Sequence, residues 1–135
     1  MIVVDVNVLV HLRLAGPGYD EAVKVAAKDA EWVAPVLWEY EFRNVLCQYL
    51  QFKQMSLPEA VDLMSAAHEF MGEGYECPSR ELVLRMAQDS GCTAYDCEYA
   101  ALAEHLQVPL VTMDKKILKQ FPHIAFSPQA FLKAV

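Results

Sequence analysis

A chain of 135 residues is the length of one ordinary domain, long enough to bury a hydrophobic core. Its 55% hydrophobic and 21% charged residues are a globular composition rather than a disordered one, and a formal charge of −7 argues against binding a nucleic-acid duplex through a broad basic surface. No stretch reaches the roughly 18 apolar residues of a membrane span, and the opening Met1-Ile2-Val3-Val4-Asp5 lacks the basic region of a signal peptide. Cys47, Cys77, Cys92 and Cys97 show no C-x-x-C spacing, so reduced thiols in a cytoplasmic protein are expected rather than zinc or disulfides.

The β-branched run Ile2-Val3-Val4, bounded by Asp5, reads as a buried strand. Val8, Leu9 and Leu12 follow at helical spacing until Gly16-Pro17-Gly18 breaks the element. A helix is predicted over 19–30, a second short strand over 32–34, and a helix from near Pro35 to about Phe52. Ser56-Leu57-Pro58-Glu59 is a capping-box pattern, opening a helix that stops at Gly72 or Gly74. Tyr75-Glu76-Cys77 reads as a third strand, and Ser79 caps a helix ending at Ser90-Gly91. Thr93 opens a helix to about Leu106, strands follow over 108–112 and 124–126, and a last helix covers 128–134. Alternating strands and helices predict a single α/β domain spanning 1–135, with a mostly parallel sheet.

The acids fall at telling places. Asp5 ends the first strand and Asp114 lies just beyond Leu110-Val111-Thr112, where ligands of open α/β sheets bind. Trp38, Phe42, Val45 and Tyr49 form an apolar stripe, with Glu41 and then Asn44 at its flank and Glu39 and Arg43 on the solvated side. A carboxylate at the edge of a buried face is costly unless paired or bound to a cation. Asp96 repeats the pattern beside Tyr95, Tyr99, Leu102 and Leu106, in a first helical turn where the dipole also favours an anion. Each acid alone is equally consistent with a helix cap or a solvated edge. Together, oxygen-only ligands with no companion His or Cys favour Mg²⁺ or Mn²⁺ and phosphoryl chemistry.

The segments Val4-Asp5-Val6-Asn7-Val8-Leu9-Val10, Glu41-Phe42-Arg43-Asn44-Val45-Leu46, Thr93-Ala94-Tyr95-Asp96-Cys97-Glu98-Tyr99 and Val111-Thr112-Met113-Asp114 resemble, in order and spacing, the motifs of PIN domains. The likeness is strongest to VapC-type toxins of toxin–antitoxin pairs. It implies a three-layer α/β/α fold with a parallel sheet of about five strands. It further implies an endoribonuclease that uses one or two Mg²⁺ or Mn²⁺ ions to cut single-stranded or loop RNA. Asp5, Glu41, Asp96 and Asp114 carry over as the catalytic and metal-holding acids, and Asn7, Asn44 and Thr112 as their hydrogen-bonding supports. Water attacking phosphorus in line and expelling the 3′ oxygen would leave a 5′-phosphate and a 3′-hydroxyl. An antitoxin partner and a homodimer are expected on the same likeness.

One departure is Val6, where many relatives carry Thr or Ser. Arg13, Arg43, Lys115, Lys116 and Lys119 are the few basic candidates to line an RNA groove, each otherwise a solvated charge, and His11, His68, His105 and His123 share no ligand spacing. Trp32 and Trp38 read as core or interface residues, and no G-x-x-x-x-G-K-[ST] loop is present. Two rival readings stay open: a PIN-like module that binds RNA or a partner without turnover, and a phosphatase with Asp5 as nucleophile. The second resembles haloacid-dehalogenase-like folds but wants an Asp where Asn7 stands.

Overall fold

Three consecutive β-branched residues, all buried, make the central strand β1 (Ile2–Val4). It pairs in parallel with β2 (Trp32–Val33) on one side and β3 (Leu110–Val111) on the other, and β3 pairs with β4 (Ala125–Phe126). The order β2-β1-β3-β4 reverses direction at β1, so the crevice between β1 and β3 is the switch point of a doubly wound sheet. These strands read as unbroken apolar runs because helices cover both faces of a parallel sheet. The computed structural model describes residues 1–14 and 16–134.

The sheet has four strands where about five were expected. The segment 75–77 contributes only a single parallel bridge between Pro35 and Tyr75. Pro35 has no N–H to extend a ladder. A Cβ on Gly74 would collide with the Val36 backbone, so a glycine is required for the chain to approach this closely.

The helices are α1 (Val6–Arg13), α2 (Tyr19–Lys28), α3 (Trp38–Gln51), α4 (Leu57–Met71), α5 (Arg80–Ser90), α6 (Ala94–Leu106), α7 (Lys115–Gln120) and α8 (Pro128–Lys133). Their ends follow local chemistry. Ser56 and Glu59 form the reciprocal capping box of α4, Ser79 and Thr93 cap α5 and α6 through Leu82 N and Asp96 N, and Gly91 closes α5 at φ 71°. Helix α7 is foreshadowed only by Asp114 as a candidate cap; it is six residues long and buries only Ile117, too few positions for a helical period to show.

Helix α6 packs on β1 and β3 with α5 against it, while α1 contacts α2, α3 and α4, giving a three-layer α/β/α arrangement. Ala100, Ala101 and Ala103 are fully buried, and their small side chains let α6 lie close to the sheet. On α3 the buried stripe is Trp38, Phe42 and Leu46; Val45 and Tyr49, expected in it, sit at its margin. Trp32 and Trp38 are core residues, Trp32 packed edge-on against Phe70. Glu39, expected to be solvated, is engaged by His68 Nδ1 at 2.5 Å and by Arg43, tying α3 to α4. No helix among the described residues is long and apolar enough to cross a membrane.

Candidate active site

Pairing of β1 with β3 places Val4 opposite Val111, so the next residues, Asp5 and Thr112, meet at the carboxyl end of the sheet. Asp5 N–H donates to Val111 O at 3.0 Å, and Thr112 Oγ1 donates to Asp5 Oδ2 at 2.8 Å. Asn7 Nδ2 also donates to that oxygen at 3.3 Å, while Asn7 Oδ1 accepts from Met113 N–H at 3.2 Å. Thr112 Oγ1 accepts in turn from Asp114 N–H at 3.0 Å. Two loops more than one hundred residues apart in sequence are thereby fixed to each other around one carboxylate.

The capping alternative separates the two strand-end acids. Asp114 is a true cap: its Oδ1 accepts from Lys116 N–H and Ile117 N–H at 2.8 and 3.0 Å. Asp5 occupies the N-cap position of α1 but makes no capping bond; its carboxylate is turned to Thr112 and Asn7 instead. With only 6% of its surface exposed, it is a buried acid with no cation against it among the described residues.

Glu41 and Asp96 enter from the first turns of α3 and α6. Tyr99, one turn beyond Asp96 and buried, donates its hydroxyl to Glu41 Oε1 at 2.7 Å. By periodicity Tyr99 belongs only to the apolar stripe of α6. Its i+3 spacing from Asp96 was the one available hint of a polar role, because its partner lies 58 positions away. Lys116 Nζ donates to Gly91 O at 2.7 Å, joining the Asp114 loop to the turn that precedes α6. Asn44 is exposed and enters no described side-chain hydrogen bond; it lines a cleft beside Glu41.

Proton affinities show that the acids feel one another. Burial pushes Asp5 up to about 6; the charges of Asp96 and Asp114 add to this and the Thr112 hydrogen bond opposes it. Burial likewise raises Glu41 to about 7, reinforced by Asp5 and Asp96 and opposed by the Tyr99 hydroxyl. Asp96 is raised by burial and then by Asp114, with Lys116 pulling the other way. Burial and the Glu41 charge keep the Tyr99 phenol protonated. Buried carboxylates this mutually costly are a recurring mark of functional sites.

Among the described residues no three His, Cys, Asp or Glu side chains stand close enough to share one metal ion as placed. Mutual repulsion opposes closer approach, and Asp5, Glu41 and Asp114 are each held by a protein donor. By chemistry the donor set fits a hard divalent cation: it is all oxygen, and a bound cation offsets the burial cost and the added repulsion that raise the three shifted acids.

The PIN domain family model matches residues 2–125. Ribonuclease VapC3 of Pyrobaculum aerophilum is 26% identical over 125 residues, covering 90% of this chain and 95% of that protein. The crystal structure of PAE2754 from Pyrobaculum aerophilum superimposes with a TM-score of 0.76 at 27% identity, covering 97% of this chain and 92% of that one. FitAcB from Neisseria gonorrhoeae shares the fold at a TM-score of 0.75 and 14% identity, over 96% of this chain and 99% of that one. With its family's motifs in order along the chain and the acids they carry gathered at the carboxyl end of the sheet, this chain belongs to the PIN domain family.

Proposed function

We propose that the chain is a divalent-metal-dependent endoribonuclease that hydrolyses RNA phosphodiester bonds, and the toxin of a toxin–antitoxin pair. The observation that carries the reading is Asp5: a buried strand-end carboxylate that makes no capping bond, is held by Thr112 and Asn7, and feels or is felt by the charges of three further acids. Similarity to a protein named as a ribonuclease supports the substrate class.

Asp5, Glu41, Asp96 and Asp114 would hold one or two Mg²⁺ or Mn²⁺ ions, whose chemistry is to acidify water and to offset phosphate charge in the transition state. Thr112 and Asn7 fix the rotamer of Asp5, leaving its second oxygen for ligation. Tyr99 occupies one oxygen of Glu41 and leaves the other for the site. Glu41, with one oxygen free of Tyr99, would accept a proton from the attacking water. Water would attack phosphorus as its proton is taken up, the bond to the 3′ oxygen would break, and that oxygen, gaining a proton, would leave as a 3′-hydroxyl while the phosphate stays on the 5′ oxygen of the other fragment.

The partners belong to the same proposal. An apolar groove of about 240 Å³ between α3 and α4 is lined by Leu46, Leu50, Leu57, Val61 and Met64, with Leu57 and Val61 largely exposed. This supports a homodimer, which light scattering across a concentration series tests.

Incubation of a structured-RNA pool with the native chain in Mg²⁺ or Mn²⁺ should yield fragments carrying 5′-phosphates. Cutting should vanish with EDTA and in Asp5→Asn. Folded, partner-free protein that cuts nothing under either metal would favour the RNA- or partner-binding module instead.

A further inference from the structure

Two tyrosines beside the acids take no part in the core, and Tyr40 touches only Arg43 among the described aromatic contacts. Tyr40 and Tyr95, in the first turns of α3 and α6, are 68% and 67% exposed. Tyr95 had been expected on the apolar stripe of α6 with Tyr99; the structure turns it outward, while Tyr99 is buried. With Leu37, Asn44 and Glu41 itself, the two rings line one cleft of about 350 Å³, at the small end of ligand sites. Isolated exposed aromatics are ordinary. Two that share a cleft with a candidate catalytic carboxylate are not explained by packing.

We infer that this cleft is a subsite for one unpaired nucleobase of an RNA substrate, stacked on Tyr95 and Tyr40 and read at its edge by Asn44. The inference rests on the nuclease reading and deepens it. Aromatic faces bind unstacked bases, and an amide offers both a donor and an acceptor to a base edge. Asn44 has both groups uncommitted among the described hydrogen bonds and is exposed to the cleft. Arg43 lies over the Tyr40 ring at 4.8 Å, which fixes that ring and brings a positive charge to the cleft's edge.

Charge decides which part of a nucleotide enters. The neighbouring acids repel a phosphate but not a neutral base. An occupant of the cleft also lies against Glu41, so a base seated there would leave its own phosphodiester beside the acids, where the cations of the proposed function would offset the repulsion. A duplex, whose bases are stacked and paired, cannot fill the cleft without unpairing.

The test uses a short single-stranded oligoribonucleotide carrying 2-aminopurine, titrated in Mg²⁺ into the chain with Asp5→Asn to block turnover. Binding should quench the fluorophore. Tyr95→Ala should lower affinity about tenfold or more, Tyr95→Phe should retain it, and an abasic strand should bind the tyrosine and alanine proteins equally. Tyr95 is a surface residue, so its substitution should leave the melting temperature of the Asp5→Asn protein unchanged. Equal affinity of Tyr95 and Tyr95→Ala for the intact strand would overturn the subsite, as would a dimer lost on Tyr95→Ala with RNA affinity unchanged, which marks a protein contact. Cleavage assays separate the two claims. Stacking without cutting by the native chain would overturn the nuclease reading and leave the base subsite. Cutting with the same bonds chosen by native and Tyr95→Ala would overturn the subsite alone.

Discussion

The strand-borne half of the site and the helix-borne half are built differently. Asp5, Asn7, Thr112 and Asp114 are linked to one another by hydrogen bonds and anchored to the β1–β3 ladder. Glu41 and Asp96 project from the first turns of separate helices, and Glu41 is steadied by a single phenol. The first half is a preorganised floor, the second an adjustable rim. A cation that drew the four carboxylates together would ask little of the floor and most of the rim, which is where repulsion is relieved by movement.

The largest effect should come from the floor. Asp5→Asn should reduce RNA cleavage by about 10³-fold or more, while raising the melting temperature of the metal-free protein, because a neutral amide replaces a buried repelled carboxylate. Next, Thr112→Val should lower activity about 10- to 100-fold, since it removes both the donor to Asp5 and the acceptor for Asp114 N–H. Tyr99→Phe, a change at the rim, should cost roughly tenfold at most, and Mn²⁺ titration should show it in metal affinity more than in turnover at saturating metal. A loss on Tyr99→Phe larger than on Thr112→Val would reverse the assignment of floor and rim.

The smallest effect is on stability against pH. Asp5 and Glu41 keep their protons up to about 6 and about 7 when folded, against 3.8 and 4.5 unfolded. Within those windows the folded state binds more protons, so stability is full at the acidic end and lost as pH rises. Thermal melts of the metal-free chain should therefore drift downward between about pH 4 and pH 7, and saturating Mg²⁺ should flatten the drift. A melting temperature that climbs across that range would contradict the raised proton affinities.

The strands, the caps at Ser56, Ser79 and Thr93, and the order of the acids were legible because each is written in adjacent residues. The segment 75–77 looked like a strand by composition, but Pro35 limited its pairing to one bridge. Helix α7 was too short to show a period. Periodicity placed Tyr95 and Tyr99 together, and it cannot tell that the first turn of α6 leaves one ring in solvent and buries the other. The Tyr99–Glu41 bond and the Glu39–His68 contact join residues 58 and 29 positions apart, and no local pattern encodes either.

The most direct test of the carboxylate site is binding of Mn²⁺ alone, followed by electron paramagnetic resonance at neutral pH in the native chain, Asp5→Asn and Glu41→Gln. The account predicts saturable binding that Asp5→Asn abolishes and Glu41→Gln weakens. Saturable binding that survives Asp5→Asn unchanged would contradict it, because the buried strand-end carboxylate would then not be the centre of the site.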